Sequence, residues 1–415
     1  MSDFSNPPIY GSPDGPAIGA AEGWLAIADL RAKHALIPWV LRPRQDLPLY
    51  CNPIALFLAV WVLMFACLGV HVSYVIYPSF FTPFLIFAIS TASLLLGYLA
   101  SAAVLEPGAA HFESAHGVLD VTTLWRLNLL FCALALSLIV FNWLTAGPPP
   151  AIGDPTTYLT YGKFKQVLFP LLIAVAVNAT IDTSRFRRYL FIAFALGVLA
   201  IYIARGVMLV TFLQMFFLFS LRTKISKRKQ YLLALGALVV AVAGMTIIGN
   251  LRTAHDIFVA YLQIRDKYSD WPMAFLWPVS YVSIPFSNLC WMTAHMSSHG
   301  PTFAFLYPVL PTFMAPADPY SAIYGSSNMV DNASTYLQTY VLDFSFLGIY
   351  FANLILGLGC GWLLRRAYPR NILILSIFLT SMSLIFFTDM FFLLEIVILV
   401  LIQRYVQKRC FSWSV

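Results

Sequence analysis

Arg205 interrupts two apolar runs, Tyr189–Ala204 and Val207–Leu221, with only Gly206 beside it. At about 1.5 Å per residue each arm reaches about 24 Å, short of the roughly 30 Å hydrocarbon core of a bilayer. Its guanidinium is therefore expected below headgroup level, facing a bundle interior or a wet cavity, where a cation calls for an anionic partner or solvent. Snorkelling to a lipid phosphate is the plainer alternative. Arg252 ends Gly249-Asn250-Leu251-Arg252, after the run Tyr231–Ile248, and reads either as a functional cation or as an interfacial anchor. Lys163 and Lys165, in Tyr158-Leu-Thr-Tyr-Gly-Lys-Phe-Lys165, precede the run Val167–Ile181 and can meet lipid headgroups or a substrate phosphate. Arg265 and Lys267 stand beside Asp266 and Asp270 on a predicted amphipathic surface helix, Ile257–Tyr268, where mutual ion pairing accounts for them.

Several arginines around one apolar chamber suit a diphosphate, because the guanidinium stays charged and forks onto phosphate oxygens. Such cations also stabilise charge developing on a departing diphosphate, and no strong general acid is then required. An acceptor hydroxyl still benefits from a base. His255, Asp256, His295, His299, Asp318, Asp331 and Asp343 are the candidates, and each has a structural reading as well. The stretch between them is aromatic, with Trp271, Trp277, Tyr281, Phe286 and Trp291. These rings form either an interfacial belt or a platform for stacking sugars. Glu395 is an acid inside the last apolar run and is either functional or paired within the bundle. The six cysteines show no CxxC and no metal-type spacing, so neither a metal site nor a disulfide framework is expected.

The elements that must position these residues are membrane helices. The chain is 60% hydrophobic and 10% charged, with a mean hydropathy of +0.79, where a typical globular chain is about 25% charged. Ten apolar runs stand out: Ile54–Tyr77, Phe81–Leu105, Leu124–Leu144, Val167–Ile181, Tyr189–Ala204, Val207–Leu221, Tyr231–Ile248, Leu347–Leu364, Ile372–Phe387 and Phe391–Ile402. Ala274–Thr293 and Thr302–Met314, broken by Pro278, Pro285, Pro308 and Pro311, read as further helices, re-entrant segments or surface loops. The expectation is an all-α polytopic bundle of about 10 to 12 spans. Residues 1–50 form a cytoplasmic tail, largely disordered, with a short helix around Ile18–His34; no basic n-region leads into an apolar core there. Residues 51–250 hold seven spans, 251–345 a large outer loop region, and 346–415 the last spans and a short tail.

Lysine and arginine set the orientation. With the N-terminus inside, 19 of the 25 fall on the cytoplasmic side, leaving Lys163, Lys165, Arg205, Arg252, Arg265 and Lys267 outside. The alternation holds if 251–344 contains an even number of crossings, and both termini are then cytoplasmic. The net charge of +7 sits at the ends of apolar runs, which speaks against a nucleic-acid partner and for the lipid bilayer.

Arg205-Gly206, Gly249-Asn250-Leu251-Arg252 and a C-terminal signature carry a resemblance to a known family. The signature reads Asn332-Ala-Ser-Thr335, Tyr340, Asp343-Phe344 and Gly348, running into the next span. From Tyr158 to the last span, the chain resembles the oligosaccharide repeat-unit polymerases, the Wzy-type membrane polymerases of O-antigen and exopolysaccharide synthesis. It departs from their pattern at Ser345, where a glycine is usual. The resemblance implies block transfer at the periplasmic face of a bacterial inner membrane, from polyprenyl diphosphate to a sugar hydroxyl of an incoming lipid-linked repeat unit. It implies no metal, nucleotide or other cofactor, and a chain-length regulator and a flippase as partners. Arg205 and Arg252 would contact diphosphate, while Asn332, Thr335 and Asp343 would shape the loop or the acceptor site.

The nearest rival is a ligase of the same superfamily, joining glycan to a lipid A core. A mannosyltransferase using a polyprenyl monophosphate sugar usually presents acids in its first outer loop, and His71-Val-Ser-Tyr-Val-Ile-Tyr-Pro-Ser-Phe80 has none. A transporter of lipid-linked oligosaccharides would be expected to carry internal repeats and charges along its central spans.

Overall fold

The computed structural model describes residues 36–40, 47–76, 79–104, 116–154, 157, 161–223, 226–252, 254–295, 302–310, 314, 335–364, 371–385 and 393–413, some of them by backbone alone. Each of the ten apolar runs coincides with a helix: α1 (Pro53–Val70), α2 (Phe81–Val104), α3 (Val121–Ala146), α4 (Lys165–Ile181), α5 (Arg185–Ile201), α6 (Arg205–Arg222) and α7 (Lys227–Arg252), then, after the 251–337 region, α11 (Gln338–Trp362), α12 (Ile372–Ser383) and α13 (Leu394–Cys410). Between α7 and α11 come the short helices α8 (His255–Tyr261) and α9 (Asp266–Ser269), the long α10 (Met273–His295), and a 3₁₀ turn, Ala304–Val309. Among the described residues, five helices are long and apolar enough to cross a membrane: Pro53–Val70, Phe81–Ser101, Val121–Ala146, Arg205–Arg222 and Gln338–Trp362.

The stretch Ala274–Thr293 is thus helical despite two prolines. Pro278 and Pro285 both lie inside α10, each removing one backbone donor. The apolar run to Tyr77 stops being helical at Val70, because His71 turns into the left-handed region at φ 49°. One expectation fails clearly. Ile257–Tyr268 is not one helix: Gln263 adopts φ 48°, and Ser73 and Ile264 form an isolated antiparallel bridge. The break ties the α1–α2 connection to this region through Ser73 Oγ–Leu262 O at 2.6 Å and Tyr268 Oη–Val70 O at 2.6 Å.

Two apolar cores fill the bundle. Helix α4 is the axis of the first, buried on nearly every side, as an apolar helix without a polar face must be. The second is organised by α2 and α11, the most extensive helix pair. A Cβ on Gly97 would meet the backbone at Leu354, one on Gly357 the carbonyl of Leu94, and one on Gly361 the side chain of Ser101. Small residues spaced by four let helix backbones approach closely inside a membrane. Asn353 adds a polar link, donating to Ser90 Oγ at 3.2 Å and accepting from Tyr336 Oη at 2.6 Å. The pairs 90–353, 97–357 and 101–361 advance together, so α2 and α11 run parallel.

A small sheet departs from the all-α expectation. Leu36–Val40 (β1), inside the expected tail, pairs antiparallel with His116–Asp120 (β2), which pairs with Phe411–Trp413 (β3). Segments near both chain ends therefore meet at one end of the bundle. Asp120 caps α3, accepting from Thr123 N at 3.0 Å and from its hydroxyl at 2.6 Å. Where α4 ends, Arg187 pairs with Asp182 at 3.0 Å and lies 5.9 Å from the Trp125 ring centroid, in the first turns of α3.

Candidate functional site

At the opposite end, α5 stops at Ile201 and the chain reverses within three residues. Ile203 takes φ 54°, and the Ala204 amide closes onto Leu199 O at 2.9 Å. Helix α6 starts at once with Arg205, and no side chain caps it. Gly206 is exposed, with open space where a Cβ would stand. The first turn of a helix presents backbone N–H groups and a partial positive charge. A guanidinium at that position adds like charge, so the combination is costly unless an anion or an electron-rich face compensates.

The electron-rich face is present. Arg205 Nη2 donates to Tyr281 Oη, and its guanidinium carbon lies 4.7 Å from the Trp277 ring centroid and 5.0 Å from that of Tyr281. The two rings, one helical turn apart on α10, stack at 5.2 Å and 26°. Trp277 is fixed from two further sides. Its indole N–H donates to Asn250 Oδ1 at 3.3 Å, and the Phe258 ring of α8 lies 4.1 Å from it. Cation–π contact of this kind is worth about 2 kcal/mol or more when desolvated. Trp277 is only 4% exposed, so it serves as a shelf for the cation and offers no open face to a sugar. Tyr281 is half-buried.

Arg205, Trp277 and Tyr281 are thus brought into one cluster. Arg252 ends α7 two residues after Asn250, near the shelf by backbone position; its side chain lies outside the described residues. His255 and Asp256 open α8 on its exposed side, paired with each other at 3.3 Å, three and two residues before Phe258. Lys163 is exposed, and its amide donates to Asn142 Oδ1 at 2.8 Å. Asn142, fully buried, also donates to Tyr202 Oη at 3.3 Å, linking the Lys163 loop to the turn that carries Arg205. Lys165 begins α4 and is half-buried. In the same loop Tyr161 donates to Gly147 O at 2.8 Å, and burial, with Tyr202 beside it, raises its phenol pKa above the usual value.

Arg265 stands apart, its guanidinium 5.2 Å from the Tyr74 ring, while Lys267 lies over Tyr268. Among the described residues neither forms an ion pair with Asp266 or Asp270, contrary to the pairing expected from sequence.

The C-terminal signature is built into the fold. Thr335 Oγ1 accepts from the Leu337 amide at 3.3 Å as α11 begins. Asp343 is 1% exposed and accepts from Thr302, from the amide at 3.0 Å and the hydroxyl at 2.6 Å. It clasps the start of the 3₁₀ turn onto α11. Ser345 then breaks the helix at φ 54°, ψ −139°. Asn332, His299, Asp318 and Asp331, and the side chain of His295, lie outside the described residues.

Asn142 and Thr302 were not singled out by sequence reasoning, and Asn250 entered it only within the Gly249–Arg252 motif. For Asn142 a signal existed: it lies in an apolar run, where a buried amide needs partners. No family model, curated protein or solved structure matches this chain.

Proposed function

We propose that the chain is a bacterial inner-membrane polymerase of lipid-linked oligosaccharide repeat units, acting at the periplasmic face with both termini in the cytoplasm. The observation that carries this reading is Arg205 at an uncapped helix start, held on the Trp277–Tyr281 shelf. Guanidinium and helix N-terminus together offer a site for a diphosphate. Placement supports the sidedness: the sheet that gathers both chain ends lies with the Arg187 cluster, and Arg205 lies at the other end.

In the proposed reaction the bond between the anomeric carbon and the diphosphate oxygen breaks, and the diphosphate leaves with the electron pair. The acceptor sugar oxygen bonds to that carbon and releases its proton to a base, for which His255 and Asp256 are the exposed candidates near the shelf. Arg205, with Arg252 and Lys163 at the same end, would hold the departing charge.

The test is Arg205→Ala and Arg205→Lys in the native host, with the polysaccharide ladder read on a gel beside protein levels in the membrane. Single repeat units without polymer, at normal protein level and with lysine rescuing at most partly, support the polymerase. Long chains that remain on the carrier lipid assign the ligase reaction instead. Wild-type ladders make Arg205 a lipid anchor and remove the basis of the proposal.

A further inference from the structure

We infer that Arg187, Arg188 and Arg222, at the end of the bundle opposite Arg205, hold the headgroup of an anionic phospholipid. Arg188 stands 17 residues before Arg205 and Arg222 stands 17 residues after it. At about 1.5 Å per residue both lie roughly 25 Å from the turn, level with each other at the feet of the α5–α6 hairpin. Their charges act on each other, and like charges held together are costly unless an anion lies between them. The protein supplies little to offset that cost. Asp182, fully buried, pairs one carboxylate oxygen with Arg187 at 3.0 Å, and the same oxygen accepts from the Ser184 amide at 2.9 Å. Arg188 donates to the main-chain oxygen of Asp182 at 2.5 Å, and among the described residues it has no carboxylate partner. The Nε atoms of Arg187 and Arg188 are buried and, among the described residues, lack a hydrogen-bond partner. Both arginines also stand in the opening turns of α5, where the partial charge of the helix is itself positive. Guanidiniums gathered in this way fit a phosphate, whose oxygens match the fork of each.

The surroundings select the lipid. Phe186, Tyr189 and Leu190 share one face of α5 in the same turns as the arginines, and they are 76%, 67% and 53% exposed. Ala193 and Gly197 continue that exposed face along the helix. A free phosphate gains nothing from such a border. A phospholipid does, because its headgroup meets the cations while its acyl chains leave along the apolar side chains. Basic pockets between helices at a membrane surface take anionic headgroups in this way. A headgroup with an amine would add a further cation to the three arginines, so the lipid is one of net negative charge, such as phosphatidylglycerol. Bound across Arg188 and Arg222, it clamps the feet of the hairpin whose turn carries Arg205. The inference requires the chain to lie in a membrane and does not depend on the reaction proposed above.

The experiment uses the full chain in detergent, with phosphatidylglycerol binding read by native mass spectrometry and the thermal midpoint measured beside it. Wild type is expected to bind phosphatidylglycerol in preference to phosphatidylcholine and to melt at a higher temperature with it. Arg188→Ala is expected to weaken that binding about tenfold, as the loss of a charged hydrogen-bond donor does. Arg188→Lys keeps the charge but loses the fork, and a smaller weakening is expected. Arg185→Ala removes the same charge from the same turn, but Arg185 is exposed, so its binding should match wild type. Unchanged binding in Arg188→Ala, or in Arg188→Lys if the alanine variant does not fold, overturns the inference. Equal weakening by Arg185→Ala would reduce the effect to overall surface charge and overturns it too, as does equal binding of phosphatidylcholine. Displacement of the lipid by inorganic phosphate at the same concentration would assign the arginines to a free anion instead.

Discussion

The carbonyl oxygen of Tyr340 occupies the space that a side chain at position 348 would need. The chain folds back on itself there, across the break at Ser345, and only glycine allows the approach. Gly348→Ala is expected to destabilise the protein by about 1–3 kcal/mol, as overpacking against rigid backbone does. A lower thermal midpoint in detergent is the readout. An unchanged midpoint would mean that the break relaxes freely.

Ser345 carries the opposite expectation. Its φ of 54° with ψ of −139° lies near a region that essentially only glycine populates, at a strain of order 1–3 kcal/mol for other residues. Ser345→Gly removes the Cβ and is expected to raise the midpoint, whereas Ser345→Val lowers it. The serine is thus the strained residue of this break.

Asp343 and Thr302 separate structure from chemistry. If the carboxylate serves only to clasp Thr302, then Asp343→Asn and Thr302→Val should lower stability by similar amounts, about 1–3 kcal/mol. Polymer yield per folded molecule should then fall little in either. Abolished polymerisation in Asp343→Asn alone, at normal membrane levels, would place the carboxylate in the reaction.

Tyr281→Phe keeps the ring under Arg205 and deletes the hydroxyl that accepts from it. A loss of about threefold to tenfold in polymer rate is expected, from one hydrogen bond to a charged group in a partly wet site. Trp277→Leu removes the stacked face and the partner of Asn250 together, so its loss should be larger. In vitro rates with lipid-linked repeat units measure both. Equal rates for Tyr281→Phe and wild type would show that the shelf acts through packing alone.

What could be read from the sequence followed from local rules. Ten apolar runs became helices because an apolar stretch withdrawn from water has few other ways to satisfy its backbone. Arg205 was legible because a lone cation between two short apolar arms is conspicuous. Its partners were not, since Trp277 and Tyr281 lie more than 70 residues away and arrive through α10, which Pro278 and Pro285 disguised. Asp343 was noticed for its motif, but nothing local could show that Thr302 would take up both contacts to one of its oxygens. The Gly97–Gly357 approach was equally hidden, because small residues announce a seam without naming the other side.

That seam also has a consequence in time. Ser90, Gly97 and Ser101 present a polar-edged face that is complete only when Asn353, Gly357 and Gly361 reach the membrane. More than 250 residues separate the two halves, so at about 5–20 residues per second the first half waits roughly 10 to 50 s for its counterpart. During that interval α2 has no glycine face to close against. The order of synthesis thereby becomes a constraint on how this bundle assembles.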